Sequence, residues 1–224
     1  ATGAPIVDKG VADIMLFVEA HATADGARAA AKYIKRHCEK GSRVLAAPTS
    51  RPAAAMELSL DKDPIKASTH SGVLAVLAPD IAARLVGTPD HRHFVAGRLL
   101  HFQLAFPEGM INIVVVYGVS SPTSTARKVW TAEALAGELR RVIQSLCGDG
   151  AVLVMGDMNA VQEARDRRSG QLQGYDGNVH APWRVLRDAG LADLWRRKLP
   201  DLDAHSFVKE GSPCSRIDQC WVNR

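Results

Sequence analysis

Ala151-Val152-Leu153-Val154-Met155-Gly156-Asp157-Met158-Asn159 is the stretch on which the reading of this sequence turns. The apolar run Ala151 to Met155 is the length of a buried strand and too short for a helix of ordinary size. A glycine closes it, and an acid and an amide follow at once. Asp and Asn just past a strand are common turn formers. They are also what a rigid frame must deliver if a carboxylate is to bind a hard cation or take a proton from water.

Upstream, Ala126 to Cys147 reads as the strongest helix of the chain. Leu135, Leu139, Val142, Ile143 and Leu146 fall on one stripe, and Gly148 follows. Before it, Arg98 to Phe106 and Ile111 to Tyr117 are β-rich runs about the turn signal Pro107-Glu108-Gly109, which predicts a hairpin. Arg98, His101 and Gln103 interrupt the apolar pattern of the first arm, so one face is expected to be wet. The second arm is almost wholly apolar, as in a central strand.

Further upstream, Gly72 to Ala78, Arg43 to Ala47 and Asp13 to Val18 predict strands, the first two stopped by Pro79 and Pro48. Asp25 to Lys40 predicts a helix, with Ala27, Ala30, Ala31, Ile34 and Cys38 at helical spacing and Gly41 just beyond. Downstream, Pro182 to Asp188 is a short helix with proline in its first turn, and Ile217 to Val222 is the last strand. Residues 50–70 and 169–179 read as irregular loops. Strands mixed with helices and a hairpin predict an α/β sandwich of two mixed β-sheets flanked by helices, in one domain over residues 1–224.

The bulk properties agree with one soluble domain. The chain has 224 residues, of which 46% are hydrophobic, enough for a large core without staples. No apolar stretch approaches the roughly 20 residues of a spanning helix, so no membrane role is expected. No secretory signal is evident. Cys38, Cys147, Cys214 and Cys220 show no C-x-x-C spacing, which suits a reducing, intracellular compartment, nuclear or cytoplasmic. Zinc held by Cys214, Cys220 and His205 is given little weight, because no ligand pair has finger spacing. The net charge of +4 tolerates a polyanionic partner without demanding one. Local charge says more: Arg165, Arg167 and Arg168 follow the Asp157 strand, and Arg196, Arg197 and Lys198 form a second run.

Besides Asp157 and Asn159, three residues at predicted strand ends are candidates for chemistry: Glu19, Tyr117 and Asp218. One acid binding a metal, one activating water, and amide or phenol donors to a phosphate would make a workable phosphoryl site. Singly each has an ordinary structural reading. Together, Asp13-Ile14-Met15-Leu16-Phe17-Val18-Glu19, Gly72-Val73-Leu74-Ala75-Val76-Leu77, Val115-Val116-Tyr117-Gly118, Gly156-Asp157-Met158-Asn159 and Ser215-Arg216-Ile217-Asp218 resemble, in order and spacing, the endonuclease/exonuclease/phosphatase superfamily.

That resemblance implies a sandwich of two β-sheets and hydrolysis of phosphate esters with Mg²⁺ or Mn²⁺. It implies Glu19 as a metal ligand, Tyr117 as a donor to the scissile phosphate, and Asp157 as the acid that activates or orients water. Asn159 would fix the phosphate, and Asp218 would orient a catalytic histidine. Asp166-Arg167 and Asp193-Leu194-Trp195-Arg196, followed by Pro200 and His205-Ser206-Phe207, make the nearer likeness one to apurinic-type endonucleases and the endonuclease domains of non-LTR retroelements. The partner implied is DNA, with Arg167, Arg168 and Arg196 as phosphate contacts.

The family's first strand, with its metal-site Asn, is expected ahead of Asp13, and its closing Ser-Asp-His after Asp218. Neither is found in these residues, so the domain is expected to lack its first and last elements. His70, His91 and His93 stand at the wrong positions to replace that histidine, and Gly118-Val119-Ser120 stands where the nuclease branch commonly has a Pro and an Asn. The alternatives are a phosphomonoesterase or lipid phosphodiesterase of the same superfamily, and a catalytically inactive truncated relic.

Overall fold

The computed structural model describes residues 13–18, 32, 42–47, 72–90, 97–120, 124–146, 148, 150–208 and 214–223. The helix expected over Asp25 to Lys40, the loop at 50–70, and Glu19, Cys38, His70, His91, His93 and Cys147 lie outside them.

Among the described residues the strands form two sheets. One joins β1 (Ile14–Val18), β2 (Arg43–Ala47) and β3 (Val73–Leu77) in the order β1-β3-β2. The other has six strands: β4 (Leu85–Asp90), β5 (Leu99–Phe106), β6 (Gly109–Tyr117), β7 (Ala151–Asp157), β8 (Ala192–Asp193) and β9 (Asp218–Val222), ordered β4-β5-β6-β7-β9-β8. The larger sheet is mixed, since β6 and β7 run parallel while its other pairs are antiparallel. The smaller is antiparallel throughout, because β1 and β2 each pair only with β3.

Alternation along the strands divides the core. Val73, Ala75 and Leu77 of β3 meet Leu100, Phe102 and Leu104 of β5 and Ile113, Val115 and Tyr117 of β6 in the layer between the sheets. The intervening residues Leu99, Val114, Val116, Val152 and Val154 face outward, onto α2 (Ala126–Leu146). The whole predicted stripe of α2 is buried there with Ala132 and Ala136. Each large side chain so buried contributes about 1.5–3 kcal/mol. The parallel step from β6 to β7 needs a long crossover, and α2 supplies it.

The predicted hairpin forms in register from Leu99↔Val116 to Phe106↔Gly109. Its mostly apolar second arm holds one fully buried amide, Asn112, whose Oδ1 accepts from Gln103 Nε2 at 2.7 Å. The predicted strand ending at Met155 runs on through Gly156 to Asp157. β8, the helix Leu194–Lys198 and the 3₁₀ turn Ala164–Asp166 were not expected from the sequence, nor were two further elements. β4 carries Gly87 and Pro89, which read as breakers, and survives because an edge strand needs no ladder bond on its outer side. The other is α1 (Pro79–Ala82), a single turn opened by the proline that stops β3. Completing the described elements are the 3₁₀ turn Ala164–Asp166, α3 (Pro182–Asp188) and α4 (Leu194–Lys198).

Candidate active site

The end of β7 is built on two glycines. Gly156, at φ +142°, lies so close to β6 that a Cβ would fall 1.9 Å from the Val116 carbonyl oxygen. Gly118, just beyond β6, would put a Cβ 2.2 Å from the Met158 carbonyl oxygen. Any side chain at either position would push β6 and β7 apart at the point where the acids emerge. The Gly118 amide donates to the Asp157 carbonyl at 2.6 Å and locks that approach.

Register then gathers the candidates. Tyr117 on β6 is paired with Asp157 on β7, and Asp157 is paired with Asp218 on β9. Residues directly paired across strands share a face. Tyr117, Asp157 and Asp218 therefore stand side by side on adjacent strands, on the face turned toward the smaller sheet. β1, whose last residue Val18 precedes Glu19, packs against both β6 and β7.

Asn159 is held with unusual firmness. It is the one non-glycine among the described residues with positive φ, at +50°. Asn tolerates this left-handed conformation better than most residues. Its amide N–H donates to Asp157 Oδ1 at 2.7 Å, and its Nδ2 donates to the Gly118 carbonyl at 3.1 Å. An acceptor at that position fixes which way the side-chain amide faces.

Arg98, read in the sequence only as a polar interruption, reaches the end of β6 beside the site. Its Cζ lies 4.6 Å from the Tyr117 ring centroid, and Nη1 donates to the Tyr117 and Gly118 carbonyls at 3.1 and 2.6 Å. Tyr117 itself is only 3% exposed. Asp218 is exposed, its amide N–H donating to Ser206 Oγ at 3.0 Å.

Of the two basic runs, Arg167 and Arg196 are turned to partners inside the protein, while Arg165, Arg168, Arg197 and Lys198 are exposed. The Arg167 guanidinium is buried and makes a fork on Asp176, with Nε and Nη2 each donating at 2.7 Å. Arg196 is 9% exposed in its side chain, and donates to Asp166 and, at 3.0 Å, to the Leu202 carbonyl. Both have internal partners, which the sequence reading of them as phosphate contacts did not include. Of the three residues so read, only Arg168 is exposed.

A buried ion cluster explains the Asp166 and Asp193 motifs. Arg216 donates from Nε to Asp166 Oδ1 at 2.8 Å and from Nη2 to Asp193 Oδ2 at 2.6 Å. Asp193 also caps α4, accepting from the Trp195 amide at 3.0 Å. Burial alone would raise the Asp166 pKa, but bonds and charge from Arg216 and Arg196 outweigh it, and the net direction is down. The cluster ties the loop after β7 to the residue two places before Asp218. It is reinforced by Met158 N–H donating to the Ile217 carbonyl at 2.8 Å.

A model of the endonuclease/exonuclease/phosphatase family matches residues 4–224. The chain belongs to that family. It is 26% identical over 158 residues to the transposon TX1 uncharacterized 149 kDa protein of Xenopus laevis, a match covering 69% of this chain and 11% of that protein. Among solved structures it is similar to the AP endonuclease LMAP of Leishmania major, with TM-score 0.66 and 16% identity, over 94% of this chain and 69% of that one. It is also similar to the endonuclease domain of TRAS1, a telomere-specific non-LTR retrotransposon, with TM-score 0.51 and 15% identity, over 83% and 68%. At these identities the structural likenesses establish the sandwich fold.

The donor set of this family member suits a hard divalent cation. Asp157 and Asp218 are paired in register on adjacent strands and carry carboxylate oxygens, the ligand type such a cation takes. Among the described residues no group of three or more His, Cys, Asp and Glu is placed to hold a metal. Glu19, the acid assigned that role from the sequence, lies outside them. Cys214 and Cys220 are free thiols, and burial pushes Cys220 up to about 11.

Proposed function

We propose that this chain carries the catalytic frame of a divalent-metal-dependent phosphodiester hydrolase acting on DNA, of the apurinic and retroelement endonuclease type. The observation that carries the proposal is the register that sets Tyr117, Asp157 and Asp218 abreast, with Asn159 pinned beside them. Asp157, at the rigid end of β7, takes the proton of the attacking water or orients it. Asn159 holds a phosphate oxygen through its amide, and Tyr117 donates to the same group. Asp218 orients the proton donor for the leaving oxygen. A bound Mg²⁺ or Mn²⁺, with Asp157, Asp218 and Glu19 as the acids available to it, would polarise the phosphoryl oxygen. The TX1 and TRAS1 likenesses favour a DNA strand over a soluble phosphomonoester as substrate.

The test is nicking of supercoiled plasmid by the protein in its full natural length. Cleavage should need Mg²⁺ or Mn²⁺ and stop with EDTA. Asp157→Ala should lower the rate by about 10²–10⁴-fold, as loss of a general base does. Cleavage that survives both EDTA and Asp157→Ala would refute the mechanism, and faster turnover of a soluble phosphomonoester than of DNA would change the substrate.

A further inference from the structure

We propose that Arg98 is the positioning residue of this site: one guanidinium sets both Tyr117 and Asn159, and turnover depends on it although it meets no reacting atom. The inference rests on the functional reading above, which assigns phosphate contacts to those two residues.

Arg98 sits just ahead of β5, one strand removed from the acids, and reaches across the end of β6. Its Cζ lies over the Tyr117 ring, 4.6 Å from the centroid. A cation over an aromatic face is attracted to it, so the ring is held from above. The same group donates through Nη1 to the Tyr117 carbonyl at 3.1 Å and to the Gly118 carbonyl at 2.6 Å. Ring and backbone of Tyr117 are thus fixed together.

The Gly118 carbonyl is the hinge of the argument. It accepts from Arg98 Nη1 and also from Asn159 Nδ2, at 3.1 Å. Arg98 holds the carbonyl where Asn159 needs it, and the carbonyl holds the amide. Asn159 sits in a left-handed conformation at φ +50°, which costs free energy and persists only where surrounding contacts enforce it. Its N–H bond to Asp157 Oδ1 enforces the backbone, and the Arg98–Gly118–Asn159 chain enforces the side chain. Lysine cannot reproduce this arrangement in full, because its compact ammonium cannot place charge over the ring while a separate N–H group reaches the two carbonyls.

The experiment measures kcat and KM for plasmid nicking in the full-length protein and in Arg98→Met, Arg98→Lys and Asn159→Ala, alone and combined, with circular dichroism to confirm folding. Arg98→Met is expected to lower kcat by roughly tenfold to a hundredfold, the scale of a small misplacement of reacting groups, while KM stays within about twofold. Arg98→Lys should recover part of kcat. In the Asn159→Ala background the effect of Arg98→Met should shrink well below its effect alone, since coupled residues are not additive. Should Arg98→Met fail to fold, Arg98→Lys with Asn159→Ala completes the same cycle. An unchanged kcat, a loss confined to KM, or full multiplication of the Arg98 and Asn159 effects overturns the inference and leaves the functional reading standing. A wild-type protein that never nicks DNA overturns both.

Discussion

Two acidic groupings lie close together in this chain and are built on opposite principles. At the end of β7, Asp157 is paired in register with Asp218 on β9, the first half-buried and the second exposed. Nine residues after Asp157, Asp166 is fully buried, and Arg216 and Arg196 both donate to it, while Arg216 joins it to Asp193. The buried group spends its charge on its own arginines and so fixes the loop after β7 against the strand that carries Asp218. The pair at the end of β7 instead leaves Asp218 exposed to solvent, on the sheet face it shares with Asp157. Acid and arginine content alone does not separate a site from its scaffold; burial and pairing do.

The largest expected effect comes from breaking the buried group. Asp166→Ala leaves Arg216 and Arg196 in the interior without their shared carboxylate, and removal of one partner from a buried pair costs about 3–5 kcal/mol. Urea unfolding should record that loss. Asp218→Ala, at an exposed position, should change stability by no more than about 0.5 kcal/mol while plasmid nicking falls steeply. Equal losses of stability in the two variants would erase the distinction between scaffold and site.

A smaller effect sharpens the same contrast through pH. The Asp166 carboxyl titrates below its ordinary range in the folded protein, because the arginine bonds outweigh burial. A depressed carboxylate contributes stability that is present above the unfolded pKa of about 3.9 and is lost as pH falls through the folded value. Wild-type stability should therefore drop as the solution is acidified from about pH 5 downward, and Asp166→Asn should flatten that part of the curve. A variant that keeps the full acid dependence would show that other carboxylates carry it.

Much of this contrast could be read in the sequence, though not which arginine belonged to which side. Strand ends were legible because apolar runs of strand length stop at Gly156 and Tyr117, and the register of adjacent runs then follows from burial of one face. The helix stripe of α2 was legible for the same reason. β4 was not, because Gly87 and Pro89 break the pattern and only its edge position tolerates them. The partners of Arg167 and Arg196 were not legible, because a run of like charges looks solvated until they are known. Asp176 and Asp166 supply those partners from other segments, 9 and 30 residues away in sequence. Arg98 showed only as a polar interruption: backbone carbonyls and a ring are among its partners, and neither leaves a mark in a one-dimensional pattern.

The smallest expected effect concerns an exposed basic residue of the first run. Arg168 is exposed beside the loop that Asp166 anchors, while its neighbour Arg167 is locked on Asp176. If Arg168 meets a DNA phosphate, Arg168→Ala should weaken binding to any duplex alike and reduce the slope of log K against log salt by about one. Its stability should match wild type. Arg167→Ala should do the reverse, destabilising the fold by freeing a buried carboxylate while leaving the salt slope of the folded fraction unchanged. Fluorescence anisotropy across a salt series distinguishes them. A slope altered by Arg167→Ala and not by Arg168→Ala would mean that the Asp176 pair opens on DNA, and that the line between scaffold and site runs through that ion pair.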